Sequence, residues 1–270
     1  MVVAVVQRFA RIAPLLALLS AGCRNADRWR VPPPGSRIVI PVFEMHQVVP
    51  GENSEYILSP EKLERLLKEL NRRGFTSLTL AQFEKAVLEH GPLPPRPALL
   101  TFDDAYRDDL NSLPILKRHG WTAVFFVPAG KISDSPDARV AWGEGPDNVG
   151  MTWDEVRRLR DEGMDIGAHG VNHVNLKTAD DATLKMEMDG RRTIEDKLGI
   201  PVTALSYPGG RRDARVLAAA ATAGYTIAFL SSGGALELPA ADVFQLRRVP
   251  VPGEVDPEAV VSSVHECRWE

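Results

Sequence analysis

From Arg37 onward, short apolar runs alternate with stretches whose apolar residues recur every three or four positions. The first run, Ile38-Val39-Ile40-Pro41-Val42-Phe43, reads as a buried strand. Ser59-Pro60 then supplies an N-cap followed by proline at the first helical position. Leu63, Leu66, Leu67 and Leu70 mark one helix face, and Gly74 ends it. Residues 76–80 read as a strand, 81–89 as a short helix and 98–102 as a strand. Residues 106–119 are helical in part, with Pro114 near a first turn or a kink. A strand over 122–127 follows, and Thr152 caps a helix that runs to Glu162. The pattern continues with a strand at 165–168, a long helix at 179–198, a strand at 202–207 and a helix at 213–223. Strands at 225–229 and 247–251 complete it. Seven or eight strands separated by helices predict an α/β fold with a parallel sheet. Their number and the chain length suit a distorted or incomplete (β/α)7-type barrel, with a doubly wound open sheet as the alternative. In either architecture the chemistry belongs at the C-terminal ends of the strands.

The 270-residue chain opens differently. Arg8 and Arg11 precede the apolar run Ile12 to Leu19, and Ser20-Ala21-Gly22-Cys23 follows. A positive region, a short apolar core and small residues form the pattern of a secretory leader. The apolar run is too short for a lasting transmembrane helix. Small residues before a cysteine resemble the lipobox of bacterial lipoproteins, which implies a lipid on Cys23. The competing reading is an ordinary signal peptide with a chance cysteine. The expected organisation is a leader over 1–23, a polar and proline-rich tether over 24–36, and one domain over 37–270. Attachment to a bacterial cell envelope follows. Cys23 and Cys267 are the only cysteines, which excludes a disulfide framework and a cysteine-rich zinc site. A formal net charge of −4 argues against nucleic acid as a partner.

Four strand ends carry groups suited to catalysis. Asp103-Asp104 follows residues 98–102, and His169 follows 165–168 with His173 four residues on. Ala204-Leu205-Ser206 ends in Tyr207-Pro208-Gly209-Gly210, and His46 comes soon after the first strand. Taken singly, each has a plain structural reading: a helix cap, a chance histidine pair, a turn. Together they change meaning. His169, His173 and one carboxylate form a His₂Asp set, a catalytic ligation for zinc that leaves a position for water and lowers its pKa to about 7. The second carboxylate is placed to take the water's proton. The glycine-rich turn brings backbone N–H groups close to a substrate oxygen.

Thr101-Phe102-Asp103-Asp104, His169-Gly170-Val171-Asn172-His173 and Ser206-Tyr207-Pro208-Gly209-Gly210 resemble, in order and spacing, the first three motifs of the polysaccharide deacetylases, the NodB-homology or carbohydrate esterase family 4 group. Ile40 to Val48 resembles the opening strand of its poly-N-acetylglucosamine deacetylase branch. The resemblance covers roughly Ile38 to Val251. It implies Asp104, His169 and His173 as ligands of a divalent metal, zinc first, with cobalt, nickel or iron also compatible. It implies Asp103 as general base, the Tyr207 N–H as oxyanion donor and His46 as general acid, with His265 a weaker candidate. The substrate would be an acetylated polysaccharide losing N-acetyl groups. An acetyl-xylan-type esterase on the same fold and a non-catalytic glycan-binding protein are the alternatives.

Departures from the family pattern carry their own expectations. Ala105 replaces the usual glycine, harmless only where φ is negative. Gly170 replaces a serine or threonine. Ser206 stands where an arginine commonly pairs with the base, so Arg247 or Arg248 is the expected substitute. Tyr106, Trp142, Pro208, Arg247 and Arg248 are candidate cleft residues. Trp142 and Trp153 flank a glycine-rich loop over 143–150 and could both stack on sugar rings, although core or helix-cap packing is the favoured reading for the two. The Arg157-Arg158 and Arg191-Arg192 pairs read as solvated helix faces.

Overall fold

The computed structural model describes residues 29–142 and 148–264. The leader with Cys23, the first part of the tether, His265 and Cys267 lie outside the described residues. Within the rest of the tether, Arg30 pairs with Leu93 and Trp29 packs on the lower core, so this part docks on the domain. Among the described residues no helix is long and apolar enough to cross a membrane.

Seven parallel strands close in chain order into a barrel: β1 (Val42–Met45), β2 (Pro97–Phe102), β3 (Val124–Val127), β4 (Asp165–Ala168), β5 (Ala204–Ser206), β6 (Ile227–Gly233) and β7 (Leu246–Pro250). The ring closes where Val249 of β7 pairs with Phe43 of β1 and Phe43 pairs with Leu100 of β2. Closure decides for the barrel over the open sheet. Between β1 and β2 lie α1 (Pro60–Arg72) and α2 (Leu80–Glu89). The helices α3 (Leu113–His119), α4 (Trp153–Asp161), α5 (Asp181–Leu198) and α6 (Ala214–Ala223) each precede the next strand. A last helix, α7 (Pro257–Ser263), packs on α1.

The first strand is divided. Ile38–Ile40 pairs antiparallel with Leu236–Leu238, and only Val42–Met45 joins the barrel. Pro41 sits at the division, since proline has no N–H to continue a ladder. The strand expected over 76–80 stops at Ser77. Thr79 instead caps α2 in a reciprocal pair with Gln82, because its hydroxyl satisfies a free helix amide. The strand Leu236–Leu238 and α7 were not anticipated; three residues after a Gly-Gly pair leave too short a pattern to read.

Side chains alternate across each strand. Val42, Leu99, Val124, Phe126, Ala204, Ile227, Phe229 and Leu246 share one buried cluster with Phe83 of α2. The α2 start reaches β4, where the Leu80 N–H donates to Asp165 Oδ2 at 2.8 Å, so α2 covers the N-terminal end of the barrel. Two residues further along four strands, the same faces carry Glu44, Thr101, Ser206 and Arg248. The barrel is therefore apolar at its floor and polar at its C-terminal mouth.

Candidate active site

The mouth opens into a cleft of about 720 Å³ lined by Glu44, His46, Asp103, Asp104, His169 and His173, among others. Asp103 and Asp104 follow β2 directly. His169 follows β4, and His173 lies one turn of loop beyond it. The Nε2 atoms of His169 and His173 both lie 3.3 Å from Asp104 Oδ1. That oxygen is buried and makes no hydrogen bond. The Nδ1 of His169 donates to the Ser206 carbonyl at 2.8 Å. A carbonyl only accepts, so Nδ1 carries the proton and the Nε2 lone pair faces Asp104. Three acceptor atoms thus converge on one point, which is what a divalent cation requires.

Backbone strain is concentrated here. Asp104, Ala105 and His173 have φ of 76°, 51° and 59°. Ala105 therefore does not meet the condition of a negative φ. A left-handed alanine costs on the order of 1 kcal/mol that glycine would not. Gly170 has φ of 73°, and a Cβ there would sit 2.5 Å from Glu187 Oε2. This explains why no serine or threonine stands there. Glu187, fully buried on α5, accepts from the Val171 amide at 2.7 Å and the Asn172 amide at 3.1 Å. It fastens the loop that carries both histidines. Sequence reasoning missed Glu187; its signal was an acid on the apolar face of α5 beside Leu184 and Met188.

Asp103 sits in a second cluster. Arg248, fully buried, donates from Nη1 to Asp103 Oδ1 at 2.8 Å and from Nη2 to Oδ2 at 2.6 Å. Its remaining donors meet Thr101 Oγ1, Glu44 Oε1, Ser206 Oγ and the Leu230 carbonyl. Ser206 Oγ also donates to Asp103 Oδ2 at 2.9 Å. Arg248 thus reaches Asp103 from the last strand. Arg247 faces the opposite way, exposed beside Gly233 and outside the cleft, because successive strand residues alternate. Burial opposes the charge on Asp103 most strongly, but the Arg248 guanidinium and His169 outweigh it and hold the carboxyl well below the usual range. Glu44 receives only one bond from the same guanidinium, and burial pushes its carboxyl up to about 8. One cation compensates one anion.

His46 follows β1. Its ring nitrogen and carboxylate oxygens of Glu44 and Asp103 lie within 4.8 Å of one another. Burial lowers its pKa, while the charges of Asp103 and Asp104 work against that shift.

Four further expected residues, besides Arg247, stand elsewhere than expected. The Tyr207 N–H donates to the Phe229 carbonyl at 3.2 Å, and its ring packs in the outer core, because β5 stays paired with β6 up to that residue. Gly209 and Arg211, rather than Tyr207 or Pro208, line the cleft. Pro208 is buried against Gly170. Arg248 lies beneath Asp103 instead of lining the cleft. Trp142 stands behind the lining, 5.0 Å from the Tyr106 ring and 5.2 Å edge-on from His173. Tyr106 does line the cleft, and Trp153 is core.

A sequence model described as polysaccharide deacetylase matches residues 90–228. YxkH of Bacillus subtilis, which carries the same family name, is 24% identical over 198 residues, 73% of this chain and 66% of that protein. The poly-β-1,6-N-acetyl-D-glucosamine N-deacetylase of Escherichia coli is 32% identical over 108 residues, 38% of this chain and 16% of that enzyme. The chain thus spans less than two thirds of the length of either relative. In fold, the deacetylase PplD of Streptococcus pyogenes, solved in complex with acetate, matches with a TM-score of 0.71 at 22% identity. The match covers 84% of this chain and 97% of that one.

Proposed function

This chain belongs to the polysaccharide deacetylase family, and from that premise we propose that it is a metal-dependent hydrolase removing N-acetyl groups, as acetate, from an N-acetylglucosamine-containing polysaccharide of the cell envelope. The observation that carries the proposal is the meeting of two unlike clusters in one cleft. Asp104, His169 and His173 form one, and Asp103 with Arg248 forms the other.

Asp104, His169 and His173 would hold the cation, with zinc the best fit to two imidazoles and a carboxylate. When bound, it supplies Lewis-acid chemistry, lowering the pKa of water and polarising the acetyl carbonyl. Asp103 is the base. Its Oδ2 already accepts two hydrogen bonds and its Oδ1 one, so Oδ1 is the atom that takes the proton of the attacking water. Arg248 keeps that carboxylate ionised and fixed in its plane. His46, beyond Asp103, gives its proton to the nitrogen as the C–N bond breaks, so the sugar leaves as an amine. Glu187 holds the histidine loop in register.

The leader ending at Cys23, with the tether behind it, supports a lipid-anchored place in the envelope of a bacterium. Similarity to the Escherichia coli enzyme supports a β-1,6-linked polymer as the first substrate to try. The test is acetate release by the full chain with Zn²⁺ from N-acetylglucosamine oligomers, peptidoglycan fragments and acetylated xylan. Asp103→Asn should lower the rate by at least about a hundredfold. Release from xylan alone would make the chain an esterase. Silence on every substrate with Zn²⁺ bound would refute the hydrolase.

A further inference from the structure

Tyr56 is among the most exposed large apolar side chains of the described residues, at 56% exposure, and it lines the active-site cleft. Its ring meets His46 edge-on at 5.1 Å, one side chain further out along the wall from Asp103. The neighbouring Glu55 carboxylate, which also lines the cleft, raises the Tyr56 hydroxyl pKa.

The segment bearing this pair is built rather than loose. Gln47–Val48 and Ile57–Leu58 form a small parallel sheet, and the Gln47 N–H donates to the Tyr56 carbonyl at 3.1 Å. The Ser54 N–H bonds the Ile57 carbonyl at 2.9 Å, and the Ile57 N–H returns to Ser54 Oγ at 3.2 Å. From the far side, the Gly253 N–H donates to the Ser54 carbonyl at 2.8 Å. Gly253 approaches so closely that a Cβ there would lie 1.8 Å from the Ile57 carbonyl oxygen. Lys62 Nζ holds the Gly253 carbonyl as well. The exposed ring thus stands on a preorganised backbone, and preorganisation lowers the ordering cost of binding.

We infer that Ser54–Ile57 forms a subsite for the sugar next to the one being deacetylated, its pyranose face stacking on Tyr56 and a hydroxyl donating to Glu55. This deepens the polysaccharide reading of the same cleft and rests on it. Tyr56 is continuous with the cleft wall yet one side chain beyond the reacting groups. It therefore meets a second saccharide unit of a polymer.

The full chain, Tyr56→Ala and Tyr56→Phe would be compared on the dimer and pentamer of β-1,6-linked N-acetylglucosamine with Zn²⁺. Both kcat/KM for acetate release and Kd by calorimetry would be measured. The pentamer-to-dimer ratio of kcat/KM should fall about fivefold to tenfold in Tyr56→Ala, through KM, and be kept in Tyr56→Phe. A purely structural role would lower both substrates alike and leave the ratio unchanged, which overturns the subsite. If the wild type releases no acetate from either oligomer, the activity reading fails and the subsite is judged by Kd alone. Tighter binding of the pentamer that Tyr56→Ala removes upholds it. No tighter binding, or tightness surviving in Tyr56→Ala, refutes it.

Discussion

The two clusters of the cleft differ in where their residues come from. Asp104, His169 and His173 all lie within the family-matched residues 90–228, on loops directly after β2 and β4. The cluster around Asp103 draws Glu44 from β1 and Arg248 from β7, both outside that segment. The first cluster needs only the ends of β2 and β4, the two strands that flank β3, in the correct order. The second exists only because β7 pairs with β1 and closes the ring. The proposed cation ligands are thus local to the motifs, whereas the charge balance of Asp103, the proposed base, depends on the whole barrel.

The sharpest way to break this contrast is to remove one member of each. His169→Ala should weaken Zn²⁺ binding by more than about a hundredfold, since a ligand matters more than its supporting partners. Chelator competition would measure it, and the Tm without metal should move little by comparison. Arg248→Leu should act the other way. It strands the buried Asp103 carboxylate and costs about 3–5 kcal/mol in denaturant unfolding, with a far smaller effect on Zn²⁺ affinity. Equal losses of Zn²⁺ affinity in the two variants would show that the clusters are one unit.

A smaller effect concerns a third buried acid. Asp109, fully buried ahead of α3, has no hydrogen-bond partner on either carboxylate oxygen. Burial, then the charges of Asp104 and Asp108, push its carboxyl well above the usual range. A carboxyl raised on folding favours its neutral form in the native state. Its contribution to stability is therefore lost as pH rises from about 4 toward the folded pKa. Asp109→Asn cannot ionise. Its stability relative to wild type should grow by about 1–3 kcal/mol between pH 4 and pH 8, read from urea midpoints. A constant difference across that range would place the Asp109 carboxylate in contact with water or a cation.

Particular residues show how far the sequence could be read. Leu63, Leu66, Leu67 and Leu70 announced α1 because a buried helix face repeats every three to four residues. That Asp103, Asp104, His169 and His173 come together was legible because strand ends in a parallel barrel share one mouth. The oxyanion role expected of the Tyr207 amide was not supported, since that N–H is taken by Phe229 across the β5–β6 pairing, which no local pattern reports. The choice between Arg247 and Arg248 was equally closed to sequence. Adjacent arginines look alike until the strand's inward face is known.

The order of the strands, the polar groups at their ends and the glycines and caps between them were determined by the sequence alone, since each depends on neighbours within a few residues. Tertiary structure decided which arginine balances Asp103, which glutamate fastens the histidine loop and which amides the sheet consumes. These are contacts between residues up to 204 positions apart, as in the Glu44–Arg248 pair. Only the closure of the barrel, driven by burial of its apolar floor, brings such residues within hydrogen-bonding distance.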